Sequence, residues 1–159
     1  MYSIGDKIVY PMHGAGVVES IEDRLILGES RRYYILRLPI GEMTIMIPCD
    51  STDNVGVREV IGKKELKFVD KALQGDTEEI SGNWNRRYRD NMEKLKSGQL
   101  PNVCEVVRNL MRAERKKKLS MGEKKMLSNA KQILMSELIL VSERDAVEIE
   151  EYISMLVFR

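Results

Sequence analysis

The residues in this chain best suited to chemistry are one tryptophan and the cations beside it. Trp84 is the only tryptophan among 159 residues, and Arg86, Arg87, Tyr88 and Arg89 follow it closely. A flat apolar ring framed by guanidinium groups can unstack a base step in the minor groove while the arginines neutralise phosphates. The alternative is a core anchor, although the immediate flanks of this tryptophan are polar. Both interpretations stay open on the sequence.

A second group of cations lies further along the chain. Residues 84–132 contain 14 basic and 5 acidic residues, whereas the formal net charge of the whole chain is +1. Arg108, Arg112, Arg115 and Lys116 are spaced for one helix face, away from an apolar stripe. Such a face is usually just solvated. A strongly basic window in a nearly neutral chain is nevertheless typical of a protein with two different partners, one of them a nucleic acid.

Groups suited to catalysis are scarce. His13, the only histidine, falls in a predicted turn, where we expect a structural or exposed role. Cys49 and Cys104 are far apart, which favours two small buried hydrophobes over a disulfide or a zinc site. Residues 122–125 share letters with the end of a phosphate loop but lack its upstream glycine and strand. We therefore predict no enzyme activity, no catalytic residue, no cofactor, no metal and no small-molecule substrate.

The sequence offers no sign of a membrane segment. No run approaches the roughly 20 apolar residues that span a bilayer. The first residues, MYSIGDKIVYP, lack a basic flank followed by an apolar run. We expect a cytoplasmic protein without a membrane partner.

The elements that must position these residues change character near residue 54. Before it, short alternating or β-branched runs at 6–10, 17–21, 34–38 and 43–47 predict strands separated by turn signals. Four or five short strands in about 50 residues indicate a small, strongly bent sheet or SH3-like barrel. After it, the apolar period is helical.

The second part of the chain predicts a helical bundle. We expect short helical turns at 57–60 and 65–73, a loop over 74–83, and a helix from Trp84 to about Ser97. Pro101 suits the first position of the next helix, and Ser120 with Glu123 forms the pattern of a capping box. Segregated strands and helices favour an α+β protein with two modules, at 1–53 and 54–159.

The predicted fourth strand could be a protein contact. Thr44, Ile45, Met46 and Ile47 are apolar on both faces of that strand, which an edge strand normally avoids. Such an edge could be completed by a strand from a partner protein. The alternative is a strand buried inside the small barrel.

Taken in order, these segments resemble the CarD family of bacterial regulators that bind RNA polymerase. The matching stretches are GDKIVYP at 5–11, NWNRRY at 83–88, EVVRNL at 105–110 and LSMGEKKML at 119–127. The likeness covers nearly the whole chain, and the second and fourth stretches are its most specific parts.

The resemblance implies the function of each part. The N-terminal part would be a Tudor-like barrel that binds the RNA polymerase β subunit, followed by a C-terminal all-α helical bundle that contacts promoter DNA at the upstream edge of the transcription bubble. Trp84 would be the minor-groove wedge at the fork, and the protein would be nucleoid-associated through polymerase. The residues that would hold backbone phosphates are Arg86, Arg87, Arg89, Lys124 and Lys125.

The polymerase contact is less completely matched. Arg24 corresponds to a basic position of that surface, and Thr44, Ile45, Met46 and Ile47 are the other residues that we predict to contact polymerase. Some family members carry a second basic residue where this chain has Met46. We therefore expect a contact that is more apolar here, or shifted.

These observations lead to one main expectation and two rivals. The expectation is a regulator that stabilises the open promoter complex by gripping both polymerase and the fork. The first rival is a stand-alone basic helical module that binds nucleic acid without polymerase, and it predicts tight, steeply salt-dependent duplex binding. The second, a small hydrolase, would require a cleft with perturbed carboxylates.

Overall fold

A computed structural model describes residues 1–77 and 82–159 of the chain. Its strands are β1 (Lys7–Tyr10), β2 (Gly14–Ile26), β3 (Glu29–Arg37), β4 (Thr44–Pro48) and β5 (Arg58–Glu59). Its helices are α1 (Thr52–Val55), α2 (Leu66–Gln74), α3 (Trp84–Lys96), α4 (Leu100–Lys116), α5 (Met121–Ser142) and α6 (Ala146–Val157). We call β1–β5 the β domain and α2–α6 the helical domain.

The β domain is one antiparallel sheet with strand order β4-β3-β2-β1-β5. Successive side chains of a strand point to opposite faces, and Tyr34, Leu36 and Ile47 therefore bury the same face. This confirms the predicted α+β class, a Tudor-like sheet followed by a helical bundle.

The short strand β5 replaces an expected helical turn. The prediction of a turn of helix at 57–60 is wrong, because Arg58 and Glu59 pair with Val9 and Ile8 of β1. Val57 packs against the buried core of the sheet. Pairing with a distant strand outweighs the local pattern here. The sheet thus continues past residue 53, where the sequence placed the end of the first module.

The helical domain has its own core. The apolar stripe predicted on α4 is buried in a core to which α2, α5 and α6 also contribute. The members of that stripe are Val103, Val106, Val107, Leu110 and Met111.

Helix α5 also joins the two domains. The backbone N–H of Ala15 in β2 donates to Ser136 Oγ at 2.8 Å. A Cβ atom at Gly14 would lie 2.7 Å from the same oxygen, so only glycine lets β2 approach the helix this closely. The strand and the helix are therefore in direct contact.

A buried carboxylate strengthens this junction. Glu137 on α5 has 2% of its side chain exposed and accepts from Arg58 Nη1 and Nη2, both at 2.8 Å. The backbone N–H of Ile61 donates to the same carboxylate at 2.9 Å, and Arg58 Nε donates to the carbonyl of Gly98 at 3.0 Å. A two-point arginine contact fixes direction as well as distance. The junction therefore sets the orientation of the β domain relative to the helices.

We predict that Glu137→Gln lowers the free energy of unfolding by about 2–4 kcal/mol, because breaking a buried pair leaves the charge of Arg58 without its partner. Urea denaturation measures the change. The matched control is Glu150→Gln, whose carboxylate pairs with Lys131 at 3.0 Å but is 57% exposed. We expect that control to lose less than about 1 kcal/mol, and equal losses in both variants would contradict the prediction.

Candidate nucleic-acid interface

The N-termini of α3 and α5 meet beside Trp84. Helix α3 starts where the side chain of Asn83 accepts from the backbone N–H of Arg86 at 3.2 Å. Helix α5 starts where Ser120 Oγ accepts from the backbone N–H of Glu123 at 3.2 Å, which confirms Ser120 as the predicted cap. Because a helix N-terminus carries partial positive charge, two of them side by side favour an anion nearby.

The indole of Trp84 is held in place but not buried. Its Nε1–H donates to Ser120 Oγ at 3.1 Å. Its ring stacks on Tyr88 with centroids 5.1 Å apart and planes at 20°. The residue remains 41% exposed. It is therefore a fixed aromatic surface group, and the core-anchor alternative does not describe it.

A glycine lets this ring lie against the first turn of α5. A Cβ atom at Gly122 would lie 3.3 Å from Trp84 Cζ2 and 3.9 Å from Tyr88 Cε2. The first of these distances is tighter than most Cβ contacts, so a larger residue would push the indole outward. This contact explains why a glycine is suited to the second position of the helix.

An ion pair fixes α3 to α5 next to the indole. Arg87 Nε donates to Glu123 Oε2 at 3.0 Å, and Arg87 Nη2 donates to Glu123 Oε1 at 3.1 Å. These hydrogen bonds hold the pKa of Glu123 below its usual range, although burial acts in the opposite direction. The pair is therefore lost only when the pH falls below the ordinary carboxyl range. The structure thus places Arg87, a predicted phosphate ligand, in an internal ion pair.

The other four cations predicted to hold phosphates are exposed. Arg86 and Arg89 lie on α3, and Lys124 and Lys125 lie on the first turns of α5. None of the four forms an ion pair with a residue in 1–77 or 82–159. All four lie within the first two turns of the helices whose N-termini meet beside Trp84.

The prediction of a solvated or DNA-binding basic face on α4 is wrong for Arg108 and Arg112, which bind carbonyls within the chain. Arg108 is buried, with 4% exposed, and donates to the carbonyl of Ala72 at 2.8 Å. Arg112 donates to the carbonyl of Val157 at 3.0 Å and also to Gly75. The guanidinium of Arg115 lies 3.5 Å from the ring centroid of Phe158. Helices α2 and α6 cover this face, and the first two arginines bind carbonyls at their C-terminal ends, which need donors. Arg115 and Lys116 remain exposed at the end of α4.

A groove that the sequence did not reveal runs beside Trp84. It has a volume of about 660 Å³ and lies between α3, the end of α4 and the start of α5. Trp84, Arg87, Asn91 and Lys94 line it from α3, and this spacing of three and four residues was the one available signal. Asp90 of α3 also lines it, and its other walls include Asn109, Leu110, Ala113, Lys117, Lys118, Leu119, Ser120 and Glu123.

The residues predicted to contact polymerase divide between two faces of the sheet. Directly opposed residues of paired strands share a face, and the register places Arg24, Thr44 and Met46 on one side. Ile45 and Ile47 point to the buried core on the other. Strand β4 is the edge of the sheet, where it pairs with β3. The alternative of a strand buried within the barrel therefore does not describe β4. On the same face as Met46, Arg24 forms an exposed ion pair with Glu22 at 3.0 Å.

Metal binding and nucleophilic catalysis have little support in the described part of the chain. Within residues 1–77 and 82–159, no three His, Cys, Asp or Glu side chains are grouped as metal ligands. Burial raises the pKa of the Cys104 thiol to about 12, which makes it a poor nucleophile. No described helix combines the length and the apolar character needed to cross a bilayer.

Two family comparisons and one relative agree on a single group of proteins. Residues 69–154 match the family described as "CarD, C-terminal domain", and residues 2–61 match "CarD-like/TRCF RID domain". A protein of Bacillus subtilis (strain 168), described as "Putative transcription factor YdeB", is 42% identical over 141 residues. The alignment covers 89% of this chain and 92% of that protein.

We predict that Ser120→Ala both weakens α5 and releases the indole, because one hydroxyl serves both. The cap should be worth about 1–2 kcal/mol, measured by urea denaturation. The emission of the single tryptophan should change in the folded protein.

The matched control is Asp145→Ala. Asp145 caps α6 by accepting from the backbone N–H of Glu148 at 2.9 Å. This variant should lose similar stability with unchanged tryptophan emission. If Ser120→Ala also left the emission unchanged, Ser120 would not be holding Trp84.

Proposed function

The chain belongs to the CarD family of transcription factors, and from that premise we propose that it binds RNA polymerase with the β domain and the upstream fork of promoter DNA with the helical domain. This action stabilises the open complex. The observation that supports it best is the half-exposed Trp84, fixed where two helix N-termini meet among exposed cations. The family is one of transcription factors rather than enzymes.

The cations around Trp84 suit the DNA backbone. Arg86, Arg89, Lys124 and Lys125 are exposed, and the helix N-termini add partial positive charge in the same region. Contacts of this kind position a protein on DNA without reading its sequence. The proposed site therefore recognises a place on the nucleic acid, the fork, rather than a base sequence.

The indole provides the preference for separated strands. Its hydrogen bond to Ser120 and its stacking on Tyr88 fix the ring in advance, so little side-chain freedom is lost on binding. At a fork the last base pair has an exposed face on which an aromatic ring can stack, whereas in closed duplex a base step must first be unstacked. A difference of about 1.4 kcal/mol between the two states would shift their ratio tenfold.

The outer face of the sheet is the proposed polymerase contact. Arg24, Thr44 and Met46 point to that same face, with Arg24 paired to Arg31 and Met46 to Ile35 on β3. The outer edge of β4 can accept a strand from the polymerase β subunit. Met46 is 38% exposed, so the contact includes apolar area as well as charge. Ile45 and Ile47 support the strand from the core side.

The junction between the domains makes the two contacts act together. The Arg58–Glu137 pair and the Ala15–Ser136 hydrogen bond fix the helical domain relative to the sheet. Once the β domain is on polymerase, the helical domain is held at high effective concentration near the promoter. Weak intrinsic affinity for DNA is then sufficient.

We predict that Trp84→Ala shortens the lifetime of open complexes about tenfold, as expected for the loss of about 1.4 kcal/mol of fork preference. Binding to polymerase should not change. The matched control is Phe68→Ala on α2, because Phe68 is also an exposed aromatic residue, at 59%. An open-complex lifetime equal to wild type in the Trp84 variant would refute the wedge.

We predict that Arg24→Glu reduces capture of the polymerase β subunit by the full-length protein at least severalfold in a pull-down. The control is Arg32→Glu. Both arginines form exposed ion pairs, Arg24 with Glu22 at 3.0 Å and Arg32 with Asp23 at 3.1 Å, but they point to opposite faces. Equal capture by both variants would contradict the proposed face. If the protein stabilised forks fully without polymerase, a stand-alone nucleic-acid-binding module would replace this proposal.

A further inference from the structure

We propose that the groove beside Trp84 binds one unpaired base of the separated strands, together with the adjoining phosphate. This inference rests on the proposed function, since the wedge is what would deliver the base. The inference goes beyond the wedge, because the indole ring only separates bases or stacks on them, whereas the groove would bind an unpaired base.

The groove has the size for such a ligand. Its lining on α3 runs from Trp84 to Lys94, a span of ten residues or about 15 Å along the helix. Its volume of about 660 Å³ falls within the common range for small-ligand sites, roughly 300–1,000 Å³. The volume is therefore sufficient for a single nucleotide.

The charges inside the groove favour a neutral base over a bare anion. Two of its cations already have acidic partners, Arg87 with Glu123 at 3.0 Å and Lys94 with Glu105 at 3.2 Å. Asp90 adds a further carboxylate to the wall. Apart from Lys117 and Lys118 at the end of α4, the described residues of the lining carry two cations and two carboxylates. This part of the groove is therefore close to neutral, and a phosphate placed there would meet carboxylates.

The polar and apolar groups of the wall match the parts of a base. Asn91, Asn109 and Asp90 line the groove, and amides and carboxylates are the groups that pair with base edges. The amide oxygen of Asn109 already accepts from Arg108 Nε at 3.1 Å, so Asn91 and Asp90 are the main candidates for contact with a base edge. Leu110 and Ala113 provide apolar surface for the faces of the base.

The cations suited to the phosphate lie where α4 ends. Lys117 and Lys118 follow the last residue of α4, line the groove and are exposed. A base inside the groove would leave its phosphate near the solvent, within the field of these lysines. In this arrangement the base of the nucleotide is buried in the groove and its phosphate is exposed.

The position of Trp84 decides between two sources of the base. A free nucleotide and an unpaired base of a DNA strand share the same chemistry. Because Trp84 forms part of the groove wall, a base displaced by the wedge would already be beside the groove. The separated strand is therefore the source that we propose.

The test follows the emission of the single tryptophan while the full-length protein is titrated with four ligands. They are a forked DNA, the same fork with abasic sites at the unpaired positions nearest the junction, a closed duplex, and a nucleoside monophosphate. Abasic sites keep the phosphates and the fork but remove the base. We expect the intact fork to bind at least fivefold more tightly than the abasic fork.

Each outcome bears on a different claim. If the fork binds better than duplex but the abasic fork binds equally well, the groove inference is overturned and the proposed function stands. If the fork shows no advantage over duplex, the proposed function fails. If the nucleoside monophosphate binds as tightly as the fork, a free nucleotide is the ligand and the proposed source is overturned.

A variant pair assigns the effect to the groove. Asn91→Leu removes an amide from the wall and should abolish the difference between intact and abasic forks while duplex binding remains. The matched control, Asn129→Leu, makes the same change on α5 at a residue that does not line the groove, and it should keep the difference. Retention of the difference by both folded variants, as judged by circular dichroism, would overturn the inference.

Discussion

One hydroxyl group determines the geometry on which the candidate site depends. Ser120 Oγ accepts from the backbone N–H of Glu123 and from the indole N–H of Trp84, and it donates to the Glu123 carboxylate. The same hydroxyl therefore fixes both the start of α5 and the position of the aromatic ring. The bidentate contact of Arg87 with Glu123 fixes the orientation of α3 as well. A surface tryptophan without such restraints would sample several rotamers and lose that freedom on binding.

Helix α5 connects this constraint to the β domain. Glu123 is in its first turn and Glu137 lies fourteen residues further on, about 21 Å along the helix axis. Each carboxylate receives a bidentate arginine, Arg87 from α3 and Arg58 from β5. One rigid helix therefore separates the aromatic site from the sheet by a fixed distance. A flexible linker of similar reach would leave that distance variable.

The sequence was informative wherever the signal was local. Periodicity located the core face of α4, and the capping pattern located the start of α5. The polar flanks of Trp84 were unusual for a core residue but left both interpretations of the ring open. The sequence failed wherever a distant element decided the outcome. Arg108 and Arg112 share an outward-looking face of α4, but the carbonyls that bind them belong to α2 and α6. Arg58 and Glu59 form a strand only because β1 offers an edge. The groove could not be foreseen, since its walls come from three helices.

These internal roles change the meaning of the basic window. The sequence places 14 basic residues in 84–132, and if all of them were available to DNA the stand-alone nucleic-acid-binding module would be favoured. Yet Arg87, Arg108, Arg112 and Arg115 bind a carboxylate, carbonyls or a ring of this chain, and Lys94 and Lys131 have acidic partners. Each phosphate contact contributes a salt-dependent increment to affinity, so a count that includes these six overstates the attraction to duplex. The remaining cations supply a modest field, and a modest field becomes useful when a second anchor holds the protein at the DNA. That balance supports a protein that contacts both polymerase and the fork over the stand-alone module.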